Sequence, residues 1–330
     1  MKTRKLGSFE CSPIGLGCMS LSHAYGTPPS EKEAEQILLQ ALDLGYSMLD
    51  TAALYGFGNN ETLLGRVLKG RRNDFVLASK CGMFKNAAGV REINGRPEVI
   101  KKTCEDSLRR LQTDVIDLYY LHRWDKNVPI EDSVGALSDL FAAGKIRDIG
   151  LSEVSAETLK KAHKVHPIAA VQTEYSLWTR NPEIAVLDTC RELGTTFVAF
   201  SPLARAFLTG KLRDVSALEE KDIRRGMPRF YADNYAENLQ LLSRVEKVAE
   251  AENMTLAQLA LSWLLGRDDN IVPIPGTTRL DHLAENFSAV DLQLSSEAFE
   301  QLDQIMNQKT VSGTRYNPAT QTEIDTEEFM

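Results

Sequence analysis

The chain has 330 residues, 43% hydrophobic and 25% charged, with a net charge of −8. That length suits a barrel of repeated units with insertions, and the apolar content can build a large core. The acidic balance argues against a nucleic-acid or anionic-membrane partner, although a local basic pocket for a phosphate stays compatible with it. Cys11, Cys18, Cys81, Cys104 and Cys190 are odd in number and form no C-x-x-C pair, which fits buried thiols in a reducing compartment. The opening stretch MKTRKLGSFE has no apolar core, and no run approaches the ~18 apolar residues of a membrane span. The expected location is the cytoplasm.

Strand-like and helix-like stretches alternate along the chain. Ser12–Gly17 reads as a first strand. Glu31–Leu44 reads as a helix opened by a Ser30/Glu33 capping box and closed by Gly45. Strand Tyr46–Asp50 follows, then a short helix ending near Gly70, strand Phe75–Ser79 running into Lys80, and a long helix after Pro97. Ile116–Leu121 is a strand, Glu131–Ala143 a helix stopped by Gly144, Ile146–Leu151 a strand, Ala156–Val165 a helix and Ala169–Gln172 a strand. Asn181 as N-cap with Pro182 in the first turn predicts a helix ended by Gly194. Thr196–Phe200 and Asn270–Ile274 are the last strands. Eight such units imply a closed parallel sheet, a (β/α)8 TIM barrel in the α/β class, with residues 1–330 as one domain.

Strand ends Asp50 and Lys80 are 30 residues apart, Lys80 and His122 42 apart, and Phe200 and Pro275 75 apart. Extended loops are therefore expected after strands three and seven, where long loops usually set substrate choice. The second holds the loop Leu203–Asn234 and helices over Tyr235–Glu250 and Leu256–Leu265, the latter opened by a Thr255/Gln258 capping box. The polar tail after Gln308 is either loose or folded over the barrel mouth.

All strand C-termini of such a barrel open onto one face, where chemistry is done. Asp50, Lys80 and His122 end strands, and Tyr55 lies five residues past one. Singly, these have plain readings: a turn acid, a loop aromatic, a phosphate clamp and a structural histidine. Together they form an acid with an electrostatic relay. A tyrosine of ordinary pKa about 10 is tuned downward by a neighbouring lysine. Asp50 keeps Lys80 charged, and His122 orients a carbonyl.

Leu49-Asp50-Thr51-Ala52, Tyr55-Gly56, Asn60-Glu61, Leu63-Leu64-Gly65, Ser79-Lys80 and Leu121-His122 closely resemble the aldo-keto reductase superfamily, in its NADP-dependent bacterial, plant and yeast branch. The resemblance covers nearly the whole chain. It implies reversible NADPH-dependent reduction of an aldehyde or ketone to an alcohol, with Tyr55 as general acid helped by Lys80 and Asp50, and His122 orienting the carbonyl. It implies that Asp50, Ser152, Gln172 and Phe200 meet the nicotinamide end, with Gly17 and Met19 lining the cofactor site. Ser201, Pro202, Leu203, Gly210 and Lys211 resemble the pyrophosphate loop. Gly276, Thr277, Thr278, Arg279, Glu285 and Asn286 resemble the segment that grips the adenosine 2′-phosphate, with His282 where relatives place a basic residue. A glycine-containing turn into a helix binds anions, and arginine adds a planar fork. Two positions depart from the family: Glu153 stands where asparagine often follows the serine, and Phe200 stands where tyrosine is common.

Trp124, Tyr25 and Met83 are the substrate-contact candidates, with Phe84, Phe230 and Tyr231 on neighbouring loops. Cys81 reads as a core residue. The partners expected are a small-molecule carbonyl or alcohol and NADPH/NADP+, with no nucleic acid, membrane or metal; a homo-oligomer is compatible with the chain. Gly15-Leu16-Gly17-Cys18-Met19-Ser20 begins like a dinucleotide fingerprint, but Ser20 replaces its third glycine and no helix opens there. Gly210-Lys211 lacks the rest of a P-loop, with Arg205 at its first glycine and Leu212 in place of Ser or Thr. Two other functions compete: an NADP(H)-binding regulatory barrel with little turnover, and a metal-assisted hydrolase using His122, Asp50 and Asp125. The second is opposed by the poor ligands Lys80, Ser152, Gln172 and Phe200 at other strand ends.

Overall fold

In the computed structural model, residues 2–86 and 89–329 are described. The chain opens with an antiparallel hairpin, β1 (Arg4–Leu6) and β2 (Phe9–Cys11), turned at Gly7 with φ +58°. The barrel begins with β3 (Leu16–Gly17), β4 (Met48–Asp50) and β5 (Val76–Cys81). A second hairpin, β6 (Met83–Lys85) with β7 (Arg91–Ile93), fills the long connection after β5. The barrel continues through β8 (Ile116–Leu121), β9 (Ile146–Ser152), β10 (Ala170–Glu174), β11 (Thr196–Phe200) and β12 (Ile271–Ile274). Among the described residues these eight strands form one parallel sheet in the order β3-β4-β5-β8-β9-β10-β11-β12. Gly15 and Gly17 N–H donate to the carbonyls of Pro273 and Pro275, joining first strand to last. A Cβ at Gly17 would meet Ile274 O at 2.8 Å, so this seam needs glycine.

Helices α1 (Glu31–Leu44), α2 (Asn59–Leu68), α3 (Pro97–Leu111), α4 (Ile130–Ala142), α5 (Ala156–Val165) and α6 (Val186–Leu193) follow successive barrel strands. The connection after β11 runs through short 3-10 turns into α7 (Ala232–Ala251) and α8 (Leu256–Arg267). The chain then continues into α9 (Leu280–Ser288), α10 (Ser296–Ile305) and a short α11 (Pro318–Gln321). Both expected capping boxes form, and Gly45 closes α1 at φ +105°. No helix among the described residues is long and apolar enough to cross a membrane.

Both faces of the barrel strands are buried, as in parallel sheets covered by helices. Met48, Val76, Ala78, Leu118, Tyr120, Ala170, Val198 and Val272 pack inside, and Leu6 and Cys11 of the first hairpin join them. Strand side chains alternate with period two. Continuing the inward parity, Met48 leads to Asp50, Val76 and Ala78 to Lys80, Leu118 and Tyr120 to His122, Ala170 to Gln172, and Val198 to Phe200. The register thus delivers five candidate side chains to the inside of the C-terminal mouth. Gly150 keeps room for the Tyr120 ring, which a Cβ there would meet at 2.3 Å.

Two expectations change, and an open alternative resolves. The first barrel strand is only Leu16–Gly17: Pro13 has no N–H to give a ladder, and Ser12 bonds the Ser47 hydroxyl and N–H, at 2.7 and 2.9 Å, and Ile14 O instead of a strand partner's backbone. Asn181 starts a 3-10 turn instead of capping a helix; α6 begins at Val186, and the Asn181 amide donates to the tail at Glu327 O. The tail lies over the barrel mouth: Asp325 N–H donates to Glu153 O at 2.9 Å, and Lys126 Nζ donates to Ile324 O at 2.8 Å.

Candidate active site

Tyr55 is carried on a tight turn after β4. Its N–H donates to Ala52 O, and Gly56, Phe57 and Gly58 all adopt positive φ. Buried Asn60 braces this turn, accepting from Thr51 Oγ1 at 2.6 Å and donating to Cys18 O and Ser22 Oγ at 2.9 Å. Glu61 accepts from Ser79 Oγ at 2.6 Å and from Arg110 Nε at 2.7 Å, fixing α2 to β5 and α3. The Asn60-Glu61 pair therefore acts as scaffold.

Lys80 is fully buried. Its ammonium donates to Asp50 Oδ1, to Thr51 O at 2.8 Å and to Tyr55 Oη at 3.3 Å. Gln172 Nε2 donates to the other Asp50 oxygen at 2.7 Å. The His122 ring stands nearly perpendicular to Tyr55, centroids 5.8 Å apart. Burial pulls the Lys80 pKa down, but Asp50 and Tyr55 outweigh it, so the lysine is held charged. Burial also pushes Tyr55 up, with Lys80 opposing, and burial wins. The expected downward tuning of Tyr55 is therefore corrected: in this desolvated pocket the phenol is held protonated. His122 is lowered well below its usual range, by burial and then by Arg123, Lys80, Arg91 and His23, so the imidazole is neutral.

These groups face one cavity of about 980 Å³. Asp50, Tyr55 and His122 line it, as do Gly17, Met19, Ser152, Gln172, Phe200, Ser201, Pro202, Leu203, Gly210, Lys211, Gly276, Thr277, Thr278, Arg279, Glu285 and Asn286. Lys80 sits behind the surface. Ser201, Ala204, Arg205 and Ala206 all have positive φ, so the chain after Phe200 is an irregular loop bent against the cavity. Arg279 Nη2 pairs with Asp281 at 2.6 Å on the surface, and His282 lines the same end.

Of the substrate candidates, Tyr25 and Met83 line the cavity and Trp124 does not. The Trp124 indole N–H donates to Val128 O at 2.9 Å, which turns the ring onto the outer core. Phe230 packs against Trp178 and Tyr235, while Phe84 and Tyr231 lie outside the lining. Cys81 is a core residue. Asp125 is spent on Gly95 and Asn127 N–H groups, away from the cavity. Glu153 is buried against Arg315 and does not reach the lining. Among the lining residues that sequence reading missed are Arg91, Arg123, Arg205, Arg224 and the tail positions Tyr316, Asn317, Thr320 and Glu323. Arg123 had a signal, being a charge directly after a strand-end histidine; the tail had none.

The sequence profile of the aldo/keto reductase family matches residues 13–307. This chain belongs to the aldo/keto reductase family. Among relatives of this aldo/keto reductase is yakc [NADP(+)] of Schizosaccharomyces pombe, 44% identical over 98% of this chain and 96% of that one. Its fold is similar to the glycerol dehydrogenase AKR11B4 of Gluconobacter oxydans, with a TM-score of 0.86 at 27% identity over 99% and 98% of the two chains. It is also similar to an aldo/keto reductase from Klebsiella pneumoniae in complex with NADP and acetate, with a TM-score of 0.73 at 28% identity over 98% and 99%.

Proposed function

We propose that the chain reduces an aldehyde or ketone to an alcohol with NADPH, reversibly, Tyr55 serving as general acid and, in reverse, general base. The observation that carries this reading is the Lys80 ammonium held between Asp50 and the Tyr55 hydroxyl, with His122 beside Tyr55 in the same cavity. Tyr55 holds a proton at Oη and gives it to the carbonyl oxygen. Lys80 stabilises the phenolate left behind, Asp50 keeps Lys80 charged, and His122 orients the carbonyl by hydrogen bonding.

The lining fits a nicotinamide dinucleotide phosphate. Ser152 and Gln172 offer amide-binding groups, Phe200 a ring face, and Lys211, Arg279 and His282 cationic or polar donors at the far end. When bound, the nicotinamide supplies the hydride. The names of relatives that carry NADP support the same cofactor.

NADPH oxidation measured against a panel of carbonyl compounds, with Tyr55→Phe as the control, tests the reading. Tight NADPH binding without turnover on any carbonyl would favour the regulatory barrel. Cofactor choice has its own test. Arg279 is free to exchange Asp281 for a 2′-phosphate, so Arg279→Ala is expected to weaken NADPH binding by about tenfold more than NADH, as loss of a charged hydrogen bond does. Equal losses in fluorescence titrations would misplace the 2′-phosphate.

The pH profile follows from the two displaced groups. Tyr55 is raised, so reduction holds level through neutral pH and falls only above the ordinary tyrosine value of about 10. Alcohol oxidation, which needs the phenolate, climbs over that range. His122 is lowered, so neither direction shows a limb near the ordinary histidine value of about 6.5. Steady-state kcat profiles in both directions check this.

A further inference from the structure

The arginines lining the cavity are Arg91, Arg123, Arg205, Arg213, Arg224 and Arg279. Five are neutralised within ion-pair distance: Arg91 by Glu323, Arg205 by Glu174, Arg213 by Glu246, Arg224 by Asp222 and Arg279 by Asp281. Arg123 alone among them has no carboxylate partner among the described residues. Its Nη1 donates to His122 O at 2.7 Å and Ser152 Oγ at 3.2 Å, both neutral acceptors. No such bond engages its Nε or Nη2 among the described residues.

This is an unusual position for a half-buried cation. The chain carries 46 acidic against 38 basic side chains, and every other arginine in the lining has found one of them. Arg123 is also held in place: two hydrogen bonds on one nitrogen fix the plane, and the residue lines the cavity with Nε and Nη2 in no such bond among the described residues. A fork fixed beforehand loses little entropy when it binds a planar anion. Its charge reaches the reacting centre, since it acts on both the Tyr55 hydroxyl and the His122 ring.

We propose that Arg123 binds a carboxylate on the substrate itself, so that the substrate class is an aldehyde or ketone bearing a separate carboxylate group. This rests on the carbonyl-reductase reading and narrows it. A single unneutralised guanidinium matches one carboxylate. A phosphate dianion would be matched less fully, because Arg205 and Arg224 are held in buried ion pairs with Glu174 and Asp222, unlike the exposed Arg279–Asp281 pair. The competing role for Arg123 is to steady Ser152, which would affect all substrates alike.

The experiment compares para-carboxybenzaldehyde with its methyl ester as substrates for NADPH oxidation by the full-length protein, wild type, Arg123→Met and Arg123→Lys. Wild type is expected to favour the acid in kcat/KM, mainly through KM. In Arg123→Met the acid-to-ester ratio of kcat/KM falls by about 10- to 100-fold, the range for a lost hydrogen bond to a charged group. Arg123→Lys recovers part of it. Equal losses for acid and ester, or a wild type that prefers the ester, overturn the proposal. If neither compound is reduced, the reductase reading fails on its own account. Arg123 is then judged by calorimetric binding of the two compounds to the NADP+-loaded protein. Tighter binding of the acid, abolished in Arg123→Met, supports it, and indistinguishable affinities overturn it.

Discussion

Tyr55→Phe is expected to lower kcat for carbonyl reduction by about 10²- to 10⁴-fold, the range for removing a positioned proton donor, while NADPH binding and the fold survive. The packing explains why the two effects separate. The Tyr55 ring sits in a small apolar cluster with Ala52, Leu54 and Met83, and phenylalanine keeps that contact. The lost hydroxyl takes with it one hydrogen bond, from Lys80 at 3.3 Å. Lys80 keeps Asp50 and Thr51 O, so no buried charge is stranded. Lys80→Met is a poorer test. It leaves Asp50 buried with only the Gln172 amide, and breaking a buried pair by removing one partner costs about 3–5 kcal/mol of stability. Activity and folding would fall together in that variant. Single-turnover rates and cofactor titration of Tyr55→Phe check the prediction; near-full turnover would remove Tyr55 from the acid role.

The site's inner ring was legible because two periodicities coincide. Apolar runs marked strands, and inward parity in those runs carries directly to Asp50, Lys80, His122, Gln172 and Phe200. Helices with capping boxes were equally readable, since Ser30/Glu33 and Thr255/Gln258 are local hydrogen-bond patterns. What escaped depends on partners far along the chain. Trp124 follows His122 by two and looked like a pocket wall, yet one hydrogen bond to Val128 O turns it onto the core. Asn181 had the chemistry of a cap, but its amide serves residues near the C-terminus. The first hairpin was missed although Gly7-Ser8 between short alternating segments is a two-residue turn signal. The Tyr55 pKa rises because burial outweighs the lowering by Lys80; the sequence names the lysine but not the depth of burial.

Glu153 illustrates the last point and leads to the second large effect. In sequence it was a departure at the cofactor site. In the fold it is part of a buried cluster that fastens the tail: Arg315 pairs with Glu153 and, at 3.2 Å, with Glu174, which also holds Arg205 at 2.8 Å. The Arg315 side chain is 3% exposed. Arg315→Met is therefore expected to destabilise the protein by about 3–5 kcal/mol, most of it the cost of leaving Glu153 buried without its cation. Glu153 would retain only the Glu174 N–H at 2.9 Å. Adding Glu153→Gln removes that stranded charge, so the double variant should be more stable than the single one, an outcome simple loss of packing would not give. Acid sharpens the test. Burial raises Glu174, but Arg205, Arg315 and Arg229 together pull it down to about 2. Its contribution is complete above the ordinary glutamate value of about 4.3 and is lost as pH falls toward the folded value. Without Arg315 the folded value rises, and the acid-unfolding midpoint moves up. Urea unfolding at neutral pH and an acid titration read both effects. A single variant as stable as wild type, or a double variant no better than the single, would show that the tail is held by its other contacts. Because Tyr316, Asn317, Thr320 and Glu323 line the cavity and Arg205 is shared with it, a tail loosened at Arg315 should also raise KM for the carbonyl substrate before the barrel itself unfolds.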